Sequence, residues 1–147
     1  MQRTENILAL LTLAGIFMIH FDVPGGAILS ILVVMVFAAF YMIGGYFVIG
    51  RPDRKLGHKG GHRPVLILMN VFFGFSLAQA ITGILFTLMD WPGQHTILIL
   101  GLAATGVMTL FYVALFRNET HLIRKVVVRC AGAFAYSALV LLLASLD

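Results

Sequence analysis

Charged residues are scarce in this sequence: they make up 11% of it, whereas soluble domains carry roughly 25%. With 61% hydrophobic residues and a mean hydropathy of +1.01, a water-soluble fold could not hide the apolar surface. Cysteine is nearly absent, because Cys130 stands alone, which excludes an internal disulfide framework and a zinc cluster of several thiolates. The sequence therefore predicts an all-α membrane protein with little chain left for a soluble catalytic domain.

Five apolar runs are long enough to cross a bilayer core, which takes about 20 helical residues. They cover residues 6–21, 27–49, 65–89, 96–116 and 126–146. The first is the shortest, and Arg3 before it resembles the start of a signal peptide. However, Asp22, Pro24 and Gly25 follow where a small-residue cleavage site is expected. We therefore expect a single transmembrane domain, residues 1–147, with about five retained helices.

Basic residues all fall on one side of such a five-span chain. The ten Lys and Arg residues precede the first run, lie between the second and third, or surround the start of the fifth. The other side carries Asp22, Asp90 and Asp147. Because cytoplasmic loops retain the basic residues, we expect an inner-membrane protein with a cytoplasmic N-terminus and an external C-terminus.

The net charge of +4 is explained by this topology and by attraction to anionic lipid headgroups, rather than by nucleic-acid binding. Arg129 lies about one turn inside the fifth run, where its long side chain is expected to snorkel back to the interface.

An internal repeat is visible when the chain is aligned with itself at a constant offset. The matching positions are Gly15-Ile16 with Gly83-Ile84, Asp22 with Asp90, Pro24-Gly25 with Pro92-Gly93, and Leu32 with Leu100. Two helical hairpins in the same orientation form a parallel repeat. We therefore expect hairpins over residues 6–49 and 65–116, followed by a fifth helix over residues 126–146.

The two predicted outer turns share an Asp-x-Pro-Gly motif. Asp22 and Asp90 are suited to accept hydrogen bonds from the first N–H groups of the following helix, and Pro24 and Pro92 fit its first turn. The alternative is that the two carboxylates carry protons or bind a ligand. Trp91, at the same boundary, is predicted to anchor the chain at the membrane interface.

Polar residues inside membrane helices are functional candidates because they need a partner or water. Asn70 and Gln79 in the third run are expected on opposing or oblique faces, where they either form separate interhelical hydrogen bonds or contribute to a ligand site. Several hydroxyl groups are expected to bond to their own helix backbone: Thr82, Thr87, Thr105, Thr109 and Ser137.

The histidines suggest one proton-sensitive site. His58 and His62 have a spacing that could hold a metal on a helix, but the neighbouring glycines and the lack of a third ligand favour a solvated loop. Near the outer surface, a proton-sensitive cluster is predicted from four side chains: His20, Asp22, Asp90 and His95. No phosphate loop, activated nucleophile or pair of membrane carboxylates is present, so we expect no catalytic residues, no metal site and no cofactor.

The stretch from Gly83 to Phe111, centred on Phe86-Thr87-Leu88-Met89-Asp90-Trp91-Pro92-Gly93, resembles the helical hairpin of the GldL-type gliding-motility and type IX secretion family of Bacteroidetes. That family has a Phe-Lys-Ile-x-His-Trp-Pro-Gly turn, which related small membrane proteins of these bacteria share. Its Lys, His and helix Glu correspond to Thr87, Asp90 and Thr105 here. The resemblance thus implies a hairpin design and a bacterial group, and it does not carry over a proton-driven motor.

Three functions are compatible with these patterns. The first is a small non-enzymatic accessory or scaffold protein that packs against other membrane subunits or itself, with lipids around it. The second is a transporter or ion-conducting protein built on the hairpin repeat, with Asn70, Gln79 and the turns at Asp22 and Asp90 along its path. The third is a lipid- or quinone-binding subunit or enzyme that uses the basic loop, residues 51–63.

Overall fold

The computed structural model describes residues 2–49, 63–117 and 120–145, which form an all-α fold. The five helices are α1 (Gln2–His20), α2 (Gly26–Ile49), α3 (Arg63–Leu88), α4 (Gln94–Leu115) and α5 (Thr120–Ala144). Their bounds agree closely with the predicted runs, except that α1 begins at Gln2 and not at residue 6, and α5 begins at Thr120 and not at residue 126. The extra turns of α5 form because Leu122 and Val126 share a buried face while Arg124 stays exposed.

Four of these helices, α2 to α5, are long and apolar enough to cross a membrane. The remaining helix, α1, has 19 residues. Its first turn is polar, with Arg3, Thr4, Glu5 and Asn6 ahead of the apolar stretch. The chain is therefore a multi-pass membrane protein.

Helix α3 lies at the centre of the fold. It packs against α2, α4 and α5, whereas α1 packs mainly against α2. The core at these contacts includes Phe73 and Leu77 of α3, Val34 of α2, Tyr112 of α4 and Val126 of α5. Helix α3 therefore has the largest buried share of the four candidate spans, 50% of its length.

Glycine allows the closest of the helix contacts. A Cβ atom on Gly83 would lie 2.6 Å from the Leu98 Cα, and one on Gly101 would lie 2.5 Å from the Ala80 nitrogen. Such distances are far below van der Waals contact, so α3 and α4 approach each other only because both positions lack a side chain. Gly15 of α1 meets Ser30 of α2 in the same way, at 2.6 Å from its Oγ.

Asp22 and Asp90 end helices and do not begin them. Asp22 has φ 51°, and the N–H groups of Asp22 and Val23 bond to the carbonyls of Ile19 and Met18 at 3.0 Å each. Asp90 has φ 50°, and the N–H groups of Asp90 and Trp91 bond back to Thr87 and Phe86 at 3.4 and 3.0 Å. A left-handed residue with this bonding pattern is the Schellman type of helix C-terminus.

The predicted capping role of the two aspartates is therefore wrong for α4. Its N-cap is Gly93, at φ 83°, with no side-chain capping bond. Pro92 precedes that glycine and lies outside the first helical turn; Pro24 likewise precedes α2, which begins at Gly26. The reason is that the left-handed glycine reverses the chain, after which the Ile97 N–H bonds to the Gly93 carbonyl at 3.0 Å.

Some predicted features lie outside the described residues. These include the histidine pair His58 and His62, most of the basic loop at residues 51–62, and the C-terminal Asp147.

Candidate functional site

A buried carboxylate joins three helices. Glu5, in the first turn of α1, is only 8% exposed. Its Oε1 accepts a hydrogen bond from the Tyr41 hydroxyl of α2, and its Oε2 accepts one from Arg129 Nη2 of α5 at 2.5 Å. The carboxylate is thus shared by a neutral donor and a cation, which offsets the cost of removing it from water.

Two of the three guanidinium nitrogens of Arg129 form hydrogen bonds with described residues, and the third does not. Its Nη1 donates to the Lys125 carbonyl of its own helix at 3.0 Å, while its Nε is buried and has no acceptor in the described part of the chain. The side chain is 11% exposed. Arg129 therefore does not snorkel to the interface as predicted. It turns inward because Glu5 provides a buried counter-charge there.

A cleft opens beside this ion pair, between α1 and α5. Its volume is about 160 Å³, and Tyr136 of α5 bridges it with a hydroxyl bond of 2.9 Å to the Ala9 carbonyl of α1. We call it the α1–α5 cleft. Its walls are mainly apolar, and the lining residues are Glu5, Asn6, Ala9, Thr12, Phe37, Tyr41, Leu77, Ile81, Ile84, Val128, Arg129, Gly132, Ala133 and Tyr136.

Sequence reasoning did not identify Glu5 as part of a site. The first predicted apolar run begins after it, at residue 6, so Glu5 fell outside the helix and was given no role. Tyr41 also sits in an uninterrupted apolar run without a signal of its own. One feature of the sequence could have indicated the pair. Glu5 and Arg129 carry opposite charges and each lies about one helical turn from the cytoplasmic end of a predicted membrane run, so the two are expected at a similar depth.

Asn70 and Gln79 lie on different sides of α3. Asn70 is fully buried, and neither its Oδ1 nor its Nδ2 has a hydrogen-bond partner among the described residues. The predicted interhelical hydrogen bond of Asn70 is therefore wrong within this part of the chain. Gln79 is exposed on the outer surface of the helix. Neither residue lines the α1–α5 cleft.

Hydroxyl side chains behave as the sequence predicted. Each bonds to a carbonyl one turn earlier in its own helix, at 2.8 or 2.9 Å. These residues are Thr82, Thr87, Thr105, Thr109 and Ser137. Each of these five hydroxyl groups donates its hydrogen to its own helix, so none of the five has a donor left for a ligand.

The residues of the predicted proton-sensitive cluster lie at or beside the two interhelical turns, between α1 and α2 and between α3 and α4. Asp22, Asp90 and His95 are exposed and His20 is half-buried. Asp90 Oδ1 accepts a hydrogen bond from Gln94 Nε2 at 2.7 Å, and the His20 ring packs edge-on against Phe21. Over residues 2–49, 63–117 and 120–145, no three His, Cys, Asp or Glu side chains are placed to hold a metal ion. A proton-sensitive role for these residues stays a prediction.

Trp91 lies at the second outer turn, beside Asp90. It is 39% exposed and its ring packs edge-on against Phe86, with 5.0 Å between centroids. This position suits an interface anchor, because one face of the indole is packed on apolar side chains while the rest stays accessible.

No family model, curated protein or solved structure matches this chain. The resemblance to the GldL-type hairpin therefore stays a prediction that rests on the turn motif alone.

Proposed function

We propose that this chain is an accessory or scaffold protein of the inner membrane that packs against another membrane helix through α3. The observation that carries the proposal is Gln79. It lies within four residues of the midpoint of Arg63–Leu88, with its side chain exposed on the outer surface of the helix. Its amide forms no side-chain hydrogen bond with the residues that the structure describes.

An exposed amide at the centre of a membrane helix is costly in lipid. Hydrocarbon offers no hydrogen-bond partner, and burying an amide without one costs about 2 kcal/mol or more. A polar group on a neighbouring helix removes that cost and contributes about 0.6 to 2 kcal/mol to association. Gln79 therefore favours a protein neighbour over lipid at this position.

The surface around Gln79 suits such a neighbour. Leu68, Phe72 and Phe75 have helical spacing with Gln79 and are each at least half exposed. Two aromatic side chains and one amide on the same helix face give a surface of large contact area with one directional bond at its end. We call these four residues the α3 outer face.

The topology that we propose with this function has five spans, with the N-terminus in the cytoplasm and the C-terminus outside. The placement of all ten Lys and Arg residues in the proposed inner segments supports it. The parallel hairpin repeat is supported by matching details: φ values of 51° and 50° at Asp22 and Asp90, and of 80° and 83° at Gly25 and Gly93. Under this proposal the chain is not an enzyme, and its partners are lipids and other membrane subunits.

The transporter alternative is less well supported. It needs Asn70 and Gln79 along one path, and they lie on opposite sides of α3, one buried and one exposed. The unpaired amide of Asn70 is the observation that speaks for a polar path inside the bundle. The GldL-type resemblance supports a hairpin design and no particular activity.

Photo-crosslinking in native membranes tests the accessory function. A photoreactive amino acid at Phe75 should give discrete crosslinked bands, and Gln79→Leu should weaken them. The same probe at Leu110 of α4, which is 70% exposed, is the matched control and should give lipid adducts. Equal crosslinking from both positions, or bands at Phe75 that ignore Gln79→Leu, would contradict the proposal.

Cysteine labelling tests the topology separately. In a Cys130→Ser background, a single cysteine replaces Val23 in one variant and Arg117 in another. A membrane-impermeant maleimide added to intact cells should label position 23 and leave position 117 unlabelled until the cells are opened. The reverse pattern would overturn the proposed orientation.

A further inference from the structure

The accessible residues in the middle of α3 form a single line along the helix. Between residues 72 and 86, every position off this line is buried. On the line, Phe72, Phe75 and Gln79 are exposed, and Thr82 and Phe86 are half-buried. We call these five residues the α3 seam; it continues the α3 outer face toward the end of the helix. Because α2, α4 and α5 already pack around α3, one further helix lying along the seam would complete its surroundings.

The spacing of the α3 seam is that of a coiled coil. Successive seam residues are three, four, three and four positions apart, an average close to the 3.5 residues per turn of two helices that wind around each other. Side chains with this spacing stay in line against a neighbouring helix that crosses at about 20°, the common crossing in membrane bundles. The seam is therefore suited to a contact along the length of a second helix, and not to a single crossing point.

Gln79 is the polar residue of the seam that needs a partner. The other polar residue, Thr82, donates its hydroxyl hydrogen to the Ala78 carbonyl of its own helix at 2.9 Å. A glutamine amide has two N–H donors and a carbonyl acceptor, so one glutamine can satisfy another. In coiled coils, a single polar residue within an apolar seam fixes the register and the number of helices. Gln79 is therefore complementary to a copy of itself.

Symmetry brings two such residues together. Copies inserted in the same orientation have parallel α3 helices, and a two-fold axis along the membrane normal places each residue at the depth of its counterpart. An unrelated helix would need a polar residue at that same depth. Resting on the proposed packing function of α3, we infer that its partner is α3 of a second copy of this chain. The two seams pack together in a symmetric homodimer, and the two Gln79 side chains hydrogen-bond to each other in the middle of the contact.

Val107 of α4 provides a matched control for the seam residue Phe75. Both side chains are 50% exposed. In the antiparallel pair of α3 and α4, Gly101 lies against Ala80, so Val107 is at nearly the same depth as Phe75. Val107 is on the opposite side of α4 from Gly101, and therefore faces away from α3.

Disulfide crosslinking in native membranes tests the symmetric contact. In a Cys130→Ser background, a single cysteine replaces Phe75 in one variant and Val107 in another. On mild oxidation, the cysteine at position 75 should join two copies into a covalent dimer, because the two-fold axis brings it next to its own counterpart. The cysteine at position 107 should leave the chain monomeric. Equal dimer formation at both positions, or none at position 75, would overturn the symmetric seam.

Dilution of the protein in lipid vesicles tests the role of Gln79. Energy transfer between donor-labelled and acceptor-labelled copies reports dimer formation as the protein-to-lipid ratio falls. Gln79→Leu removes the interhelical hydrogen bond and should weaken dimerisation about 3- to 30-fold. Gln79→Asn keeps a donor and an acceptor and should weaken it less. Because Gln79 is exposed, neither change should disturb the fold of the single chain. Unchanged dimerisation of Gln79→Leu would overturn the pairing of the two amides.

Two epitope tags separate this inference from the proposed function. Differently tagged copies are co-expressed, each with the photoreactive amino acid at Phe75. A crosslinked band that carries both tags supports the homodimer. A discrete band that joins one tagged copy to a different protein would overturn the homodimer and leave the accessory function standing. The absence of any discrete band from Phe75 would overturn both.

Discussion

The carboxylate of Glu5 and the guanidinium of Arg129 are 2.5 Å apart, although they lie in the first and last helices of the chain. This ion pair closes the bundle by joining α1 to α5, two helices that otherwise meet mainly through a second side-chain bridge, from Tyr136 to the Ala9 carbonyl. The direct contact between α1 and α5 therefore depends on a few polar side chains beside an open cleft, while α1 packs mainly on α2 and α5 on α3 and α4. Helices α2, α3 and α4 are joined by continuous apolar packing instead.

Removing one member of the ion pair should be more damaging than removing both. Glu5→Leu and Arg129→Leu each leave a buried charge without its partner, which costs about 3 to 5 kcal/mol of the free energy of unfolding. The double variant should recover most of that loss. Reversible unfolding in mixed micelles measures all three, with the exposed Arg124→Gln as a control that should change little. Additive losses in the double variant would show that the two residues act independently.

The α3 contact with α4 should not tolerate a methyl group. Gly101→Ala and Gly83→Ala place a Cβ about 2.5 Å from backbone atoms that cannot move aside cheaply. We expect each to lower the free energy of unfolding by about 1 to 3 kcal/mol, as overpacking does. Gly106→Ala, with open space around it, should be neutral or stabilising by up to about 1 kcal/mol. Equal effects at all three positions would count against the close approach.

Two tyrosines should respond oppositely to loss of their hydroxyl groups. Tyr136 donates a bond of 2.9 Å to the Ala9 carbonyl, so Tyr136→Phe should cost about 1 kcal/mol and loosen α1. The Tyr112 hydroxyl is buried without a partner among the described residues, so Tyr112→Phe should be neutral or stabilising by about 1 kcal/mol. Spin-label distances between α1 and α5 measure the loosening. A shift of that distance in Tyr112→Phe as well would argue against a specific bridge.

The aspartates in the outer turns should be replaceable by glycine. A residue other than glycine in the left-handed region costs about 1 to 2 kcal/mol, so Asp22→Gly and Asp90→Gly should raise the free energy of unfolding by about 1 kcal/mol. Asp22→Ala should give no such gain, because alanine keeps the Cβ that disfavours this conformation. A loss of stability in both glycine variants would restore the capping role that the sequence suggested.

The positions of the helices followed from local composition. Apolar runs of the right length between charged segments predicted all five helices, and the error at Thr120 arose because the charged and polar residues between 120 and 125 concealed the buried Leu122. The Asp-x-Pro-Gly motif located both turns. The same motif gave the wrong role for the aspartates, which were predicted to cap the start of the following helix. Aspartate is common both at helix starts and in left-handed turns, and only the backbone φ angle distinguishes the two positions.

The sequence by itself determined that the chain is an all-α membrane protein, because the apolar content and the spacing of charges are properties of single segments. Tertiary structure decided which polar residues meet. Glu5 and Arg129 both carry charges expected near the same membrane face, but their pairing depends on α1 and α5 being brought together by contacts with α2 and α3. The same packing decided that Asn70 lies inside and Gln79 outside, because the direction in which a helix face points is set by its neighbours.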